Sequence, residues 1–300
     1  MDITIVEWFQ SMQNSVLDAF FRLVTELGGD LAFLAIGTVL FWLYDKRFGY
    51  RFMTIFLFTL SVNDILKNVI RRPRPFAEGA DSIGEETYGF AMPSGHSSNV
   101  GIMAFLLNER FGTLKKWVTP TLFGIAFLVM ISRIYLGQHY LTDVIAGFAL
   151  AAAVYYAIRF IGLRISLGQT TMVGIGLGFL LVFMVVFAVF YQTWDIPADS
   201  FRNLYIAFGS ILGLSVGHKI ELKYVGYEER APWRIQALKY IIGLAVALLI
   251  QEGLKVALPY GGAGELMTVA LDGLRYFFLT LWLSLGALAT FKALFSKHSG

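Results

Sequence analysis

The 300-residue chain contains no cysteine, so it can build no disulfide framework and carry no thiolate chemistry, and cysteine usage says nothing about its redox compartment. Charge is scarce as well. Asp, Glu, Lys and Arg together make up 15% of the residues, against about 25% in a soluble domain, which excludes an ordinary cytosolic enzyme. Histidine occurs four times. Internal repeats and low-complexity segments are missing, and the acidic start (Asp2, Glu7) offers no basic n-region for a signal peptide.

Apolar material is abundant: 57% of the residues are hydrophobic, 16% are aromatic and the mean hydropathy is +0.64. That is far too apolar for a disordered chain. Apolar runs stand near 28–44, 50–67, 94–108, 117–132, 143–160, 170–191, 203–217, 238–258 and 268–290. Each approaches the length that a ~30 Å hydrocarbon layer requires of a helix. The expected fold class is all-α, a polytopic helical membrane protein with about nine transmembrane helices. Residues 1–27 precede the spans. On a helical wheel Ile5, Phe9, Met12, Val16, Phe20, Leu23 and Leu27 share one face, opposite Glu7, Gln10, Asn14, Asp18 and Thr25. This pattern fits an amphipathic helix lying in the membrane interface; a helix packed on the bundle would bury the same stripe.

Basic residues set the orientation. Fifteen of the 24 Lys and Arg fall in one set of alternate connections, around Lys46–Arg51, Arg110–Lys116, Arg159–Arg164, Lys219–Lys239 and Lys292–Lys297. These should be cytoplasmic, which places the amino-terminal helix outside and the carboxyl terminus inside. The polar stretch His218–Lys239 then reads as a cytoplasmic loop. The net charge of +3 is small, and no nucleic-acid partner is expected.

Three segments break the apolar logic, all at outer span ends: Lys67–Pro75, Pro93–His96, and Ser132–Arg133 followed by His139 and Asp143. A phosphoryl group needs cations and N–H donors converging on its oxygens. Lys67, Arg74 and Arg133 offer the cations, and Pro93-Ser94-Gly95 opening a helix offers the donors. His139 and Asp143 are four apart, so the carboxylate can hold one ring nitrogen and leave the other as a nucleophile. His96 can protonate a leaving oxygen. Each piece alone has an ordinary reading: a headgroup anchor, a helix start, a polar pair, a snorkelling arginine. Their order on one side of a membrane does not, because ionisable residues at membrane depth are expensive.

The three segments resemble the signature of the type 2 phosphatidic acid phosphatase (PAP2) superfamily, K-x6-RP, PSGH and SR-x5-H-x3-D. They match at Lys67, Arg74 and Pro75; at Pro93, Ser94, Gly95 and His96; and at Ser132, Arg133, His139 and Asp143. The resemblance implies that His139 attacks phosphorus to form a phosphohistidine, that Asp143 orients it, and that His96 protonates the leaving group and then activates water. It implies that Lys67, Arg74 and Arg133, with Ser94 and Gly95, hold the phosphoryl oxygens. That scheme uses no metal and no cofactor, and the other histidines, His218 and His298, lie in expected cytoplasmic segments.

The expected organisation is an interfacial helix at 1–27, a PAP2-like catalytic bundle at 28–165, and further transmembrane helices at 166–300. The last part carries no second catalytic constellation and leaves open a lipid-entry groove or a homo-oligomer surface. Glu252 and Lys255, near the outer end of an apolar run and three apart, read as a stabilising pair, the alternative being a functional pair of intramembrane ionisable residues. Asp64, one turn before Lys67, fits either a bias on that lysine or a packing role. The stretch 76–92 holds Glu78, Asp81, Glu85 and Glu86 with no basic residue. It reads as a solvated outer loop, the alternative being a flap that repels soluble anions, with Tyr88 and Phe90 at its rim.

The implied function is an integral membrane lipid phosphatase acting at the outer face of a plasma membrane on a lipid phosphomonoester or diphosphate. Undecaprenyl diphosphate, phosphatidylglycerol phosphate and phosphatidate are the candidate substrates. Short loops without eukaryotic sorting signals fit a bacterial membrane. The rival readings are a lipid phosphotransferase with the same site and a non-catalytic lipid-binding or transport protein.

Overall fold

The computed structural model describes residues 2–295 apart from 85, 88, 165–167, 195, 262 and 263, and every regular element among the described residues is helical. Glu85, Tyr88 and His298, which the sequence singled out, lie outside the described residues. The chain divides into two compact units, one of residues 1–34 and 59–168, the other of 35–58 and 169–300.

The first unit opens with α1 (Asp2–Gln10) and α2 (Ser15–Thr25), continued by a 3-10 turn at Glu26–Gly28. The single helix expected over residues 1–27 is therefore two. The break has a local cause: the Asn14 side chain accepts from the backbone N–H of Val16 and Leu17 at 3.1 and 3.0 Å, an N-cap that starts a new helix. Both pieces pack on the unit instead of only resting on a membrane surface. Val6 is fully buried against Ile134, Tyr140 and Val144, and Phe21 lies against Tyr135. Val16 and Leu23 still expose most of their surface, so the apolar stripe is split between protein and surroundings.

The rest of this unit is the second half of α4 (Lys46–Ile70), then α5 (Gly95–Phe111), α6 (Val118–Tyr135) and α7 (Leu141–Arg164). α5 packs on both α6 and α7, and α1 and α2 pack on α6. In this arrangement α5 is buried along most of its length, including Ser97, Ser98 and Asn99.

The second unit contains the second half of α3 (Asp30–Val39), a π-helical turn at Leu40–Tyr44, the first half of α4, α8 (Gln169–Phe190), α9 (Arg202–Ile220), α10 (Trp233–Ala257), α11 (Glu265–Leu281) and α12 (Ala287–Phe295). Gly209, Gly213 and Gly217 line the face of α9 that meets α11 and the turn after it. A Cβ on any of them would collide with Gly273, Phe277 or Ser284, the small-residue packing that lets helix backbones approach closely. His218–Lys239 is not a solvated loop. α9 runs on through His218, which is buried and stacked on Tyr50 at 4.3 Å between ring centroids. The buried Glu221 carboxylate accepts from Lys46 Nζ at 2.9 Å and from Tyr227 N–H at 2.7 Å, and Lys239 is fully buried. No ion pair joins Glu252 and Lys255 among the described residues, and both are exposed, which removes the expected stabilising pair.

Helices stand at all nine apolar runs, yet among the described residues six are long and apolar enough to cross a membrane, or seven if Ser15–Gly28 and Asp30–Tyr44, bent by 49°, form one span. The expected count of about nine is therefore not reproduced. The difference lies in helices such as α5 and α9, whose polar residues are covered by neighbouring helices and which need no lipid-compatible surface.

Candidate active site

All the sequence-derived site residues belong to the first unit. Lys67 lies in the last turn of α4, and Arg74 follows in an extended backbone that leads into a 3-10 turn at Pro75–Glu78. Ser94 caps α5, with Gly95 and His96 in its first turn. The five residues between Arg133 and His139 form a tight turn off the end of α6. In it the backbone N–H groups of Gln138 and His139 both donate to Arg133 C=O, at 3.1 and 3.2 Å. Gly137 holds the left-handed φ of +69° that this reversal needs.

Arg74, Ser94, Arg133, His139 and Asp143 are all buried. Arg74 Nη1 approaches His139 Nε2 to 3.3 Å and donates to Gln138 C=O at 3.0 Å. Arg133 donates through Nη1 to Thr25 Oγ1 and through Nη2 to Thr87 Oγ1, each at 3.0 Å. The Lys67 ammonium lies 3.9 Å from where a Gly95 Cβ would stand, and Asn63 Oδ1 3.8 Å, which brings the lysine to the first turn of α5. Asp64 is buried within electrostatic reach of Lys67. The charges of Arg133, Lys67 and Arg74 act on both His96 and His139. Around His139 this has a clear consequence. Burial first, and then the positive charges of Arg74, Arg133 and Lys67, hold its imidazole well below the usual 6.5. At neutral pH the ring is uncharged and Nε2 keeps a lone pair for nucleophilic attack.

Asp143 relates to His139 less directly than a pair one turn apart on a helix. α7 begins at Leu141, so His139 precedes it. Asp143 Oδ2 accepts from Tyr140 N–H at 2.9 Å, the reach-back of a capping box, while His139 Nδ1 stands 3.7 Å from that oxygen. This is too long for a hydrogen bond. His139 Nδ1, Ser94 Oγ and Arg133 Nε have no hydrogen-bond partner among the described residues although all are buried. Buried donors and acceptors are ordinarily paired. Here three orphans sit beside buried cations, in a cluster whose donor set is that of an oxyanion site.

The described residues of the 76–92 stretch expose Glu78, Asp81 and Glu86, as a solvated loop does, and are anchored at several points. Glu78 Oε2 accepts from Tyr140 OH at 2.5 Å, Ile83 N–H donates to Leu136 C=O at 3.1 Å, and Arg74 Nε donates to Gly89 C=O at 2.8 Å. Gln10 clasps the Asp81 backbone, donating to its C=O at 2.6 Å and accepting from its N–H at 3.1 Å. Phe90 is half-buried.

Residues 47–165 match the PAP2 superfamily, and residues 205–299 match the transmembrane extension of PAP2 superfamily phosphatases. Phosphatidylglycerophosphatase B of Bacillus subtilis (strain 168) is 33% identical over 147 residues, which cover 45% of this chain and 70% of that protein. The chain belongs to the PAP2 superfamily. Sphingosine-1-phosphate phosphatase 1 of Mus musculus is 32% identical over 148 residues, 46% of this chain and 33% of that protein, so the chain spans a third of that relative's length. A crystal structure described as the first transmembrane PAP2-type phosphatidylglycerolphosphate phosphatase, from Bacillus subtilis, has a TM-score of 0.47 and 27% identity, covering 56% of this chain and 86% of that one.

Several residues of this PAP2 site carry no motif and were not singled out in the sequence. Thr25 and Thr87 hold Arg133, Gln138 accepts from Thr87 N–H and Oγ1 at 3.1 and 2.8 Å, and Arg72 pairs with Asp143. A threonine on the polar face of an amphipathic helix or in an acidic loop has no local signal. Only the fold brings residues 25, 87 and 133 together.

Proposed function

We propose that this PAP2 protein is a membrane lipid phosphatase that hydrolyses a lipid phosphomonoester or diphosphate through a phosphohistidine on His139. The observation that carries this reading is the buried His139 ring with Nε2 3.3 Å from Arg74 Nη1, in a unit where Ser94 Oγ and Arg133 Nε are also buried without partners among the described residues. His139 Nε2 attacks phosphorus and the bond to the lipid oxygen breaks, with His96 delivering the proton to that oxygen once the negative charge of the bound phosphate offsets the burial and the cations that hold its imidazole well below the usual 6.5. Water then attacks phosphorus, its proton passing to His96, and the phosphorus–nitrogen bond breaks to release phosphate. Lys67, Arg74, Arg133, Ser94 and the Gly95 N–H hold the oxygens on which charge develops. Asp143 balances the positive charge that the ring gains on forming the covalent bond.

The substrates for which the relatives are named, sphingosine-1-phosphate and phosphatidylglycerophosphate, support an amphiphilic substrate with a terminal phosphate. An outward-facing site, as the basic-residue distribution implies, favours a substrate delivered from the outer leaflet, with undecaprenyl diphosphate the preferred diphosphate. The test is phosphate release by detergent-solubilised protein with EDTA present, over a panel of lipid phosphates and diphosphates, beside His139→Ala. Wild-type release with the variant at least ~10³-fold slower is the expected outcome. A folded wild type silent on every lipid would contradict it.

A further inference from the structure

Arg72 lies inside the basic run Lys67–Arg74 but at a variable position of the K-x6-RP signature, and a headgroup anchor would extend it toward solvent. The structure turns it inward. Its Nη1 donates to Asp143 Oδ1 at 2.8 Å and to Thr142 Oγ1 at 2.5 Å, and its Nη2 donates to Asp2 Oδ2 at 2.9 Å. Thr142 Oγ1 in turn donates to Asp2 Oδ2 at 2.6 Å. The guanidinium lies over the Tyr140 ring, 4.0 Å from its centroid, and the Arg72 backbone C=O accepts from Ala91 N–H at 2.9 Å.

The Asp143 side chain is fully buried. A buried carboxylate left unpaired is strongly unfavourable, and His139 Nδ1, at 3.7 Å, faces it without a hydrogen bond. Arg72 on Oδ1 and Tyr140 N–H on Oδ2 are the two groups that hold this carboxylate. They fix its plane and the direction of the oxygen that faces His139 Nδ1. Arg72 is itself held by a second carboxylate from α1, 70 residues away in sequence.

We propose that Arg72 is the positioning residue of the His139–Asp143 pair, and that Asp2 at the start of α1 keeps Arg72 in place. Arg72 touches neither the nucleophile nor the phosphate-holding groups; it acts through Asp143. The amino-terminal helix is thus part of the machinery of the site, joined to it by one Asp2–Arg72–Asp143 chain of charges. This proposal rests on the reading of Asp143 as the orienting carboxylate of His139.

The experiment compares full-length wild type, Arg72→Gln, Arg72→Lys, Asp2→Asn and the double variant Arg72→Gln/Asp2→Asn, with His139→Ala as reference. Turnover of a lipid phosphate in detergent gives kcat and KM, inhibition by inorganic phosphate gives Ki, and thermal unfolding reports the folded state. Arg72→Gln should lower kcat ~10–100-fold, the scale of coupling between contacting charged groups. KM and the phosphate Ki should stay within ~3-fold, because Lys67, Arg74 and Arg133 are untouched. Arg72→Lys, which keeps one charge but not the fork, should recover part of kcat. Asp2→Asn should cost less than Arg72→Gln and add nothing on top of it.

Wild-type kcat in Arg72→Gln would overturn the proposal. A phosphate Ki raised as much as kcat falls would make Arg72 a phosphate ligand instead and also overturn it, as would additive losses for Asp2 and Arg72. If Arg72→Gln does not fold, the split between kcat and KM in Arg72→Lys and Asp2→Asn decides in the same way. An inactive His139→Ala beside a fully active Arg72→Gln would sink this inference alone, whereas an active His139→Ala would sink the reading on which it rests.

Discussion

At His139 the decisive quantity is protonation. Burial and three neighbouring cations keep the imidazole neutral well below pH 6.5, and only the neutral ring can attack phosphorus. The sign follows directly. The nucleophile is present at any pH above its depressed folded-state value and is lost only as pH falls through that value, so the His139 limb of kcat/KM should lie below pH 6.5. A profile of kcat/KM against pH that loses activity with a midpoint at or above 6.5 would contradict this environment. The same shift acts on stability with the same direction: the unfolded chain takes up a proton near pH 6.5 and the native chain does not. Much of this residue-level chemistry was legible before any fold was known, because the residue types alone specify it: two histidines, a carboxylate and three cations in fixed order. The orientation of Asp143 was not. Spacing of four suggested a helical pair, but His139 lies in the turn before α7 and the carboxylate spends one oxygen on the Tyr140 N–H.

At the scale of elements, the site is assembled from helix ends. The end of α4, the start of α5, the turn between α6 and α7 and the turn after α2 each supply something that only a terminus can: a free N–H, a reversed backbone or an extended arginine. The last residue of α2 gives the sharpest test, since the amphipathic stripe assigns that helix to the membrane surface. Thr25, its polar-face residue, is buried and binds Arg133. Thr25→Val removes one hydrogen bond to a charged group, so KM for a lipid phosphate should rise ~10-fold. A smaller change in kcat should accompany it, and an unchanged KM would show that Arg133 needs no support from the amino-terminal segment. The apolar periodicity found every helix, because that pattern is the local cause of a helix in lipid. It did not find which helices are sheltered: the polar α5 and the glycine face of α9 are stable because of their neighbours, and a one-dimensional pattern contains no neighbours.

For the whole molecule, the basic residues predict sidedness, with the catalytic helix ends outside. The absence of cysteine gives a clean test. A cysteine introduced at exposed Asp81, whose backbone rather than side chain is clasped by Gln10, should react with a membrane-impermeant thiol reagent in intact cells. Labelling only after permeabilisation would invert the topology. Membership of the PAP2 superfamily rests on a match that runs through the first unit and beyond, with a second match to the transmembrane extension of its phosphatases over residues 205–299. What the chain does with that inheritance turns on one covalent bond. The most direct measurement is to stop turnover of a lipid phosphate within milliseconds in alkali, where phosphohistidine survives, and to locate the phosphoryl group by mass spectrometry of the peptides. The account predicts a phosphoryl adduct on His139 that appears before free phosphate and is missing in His139→Ala. Turnover with no adduct, or with the adduct on another residue, would contradict it.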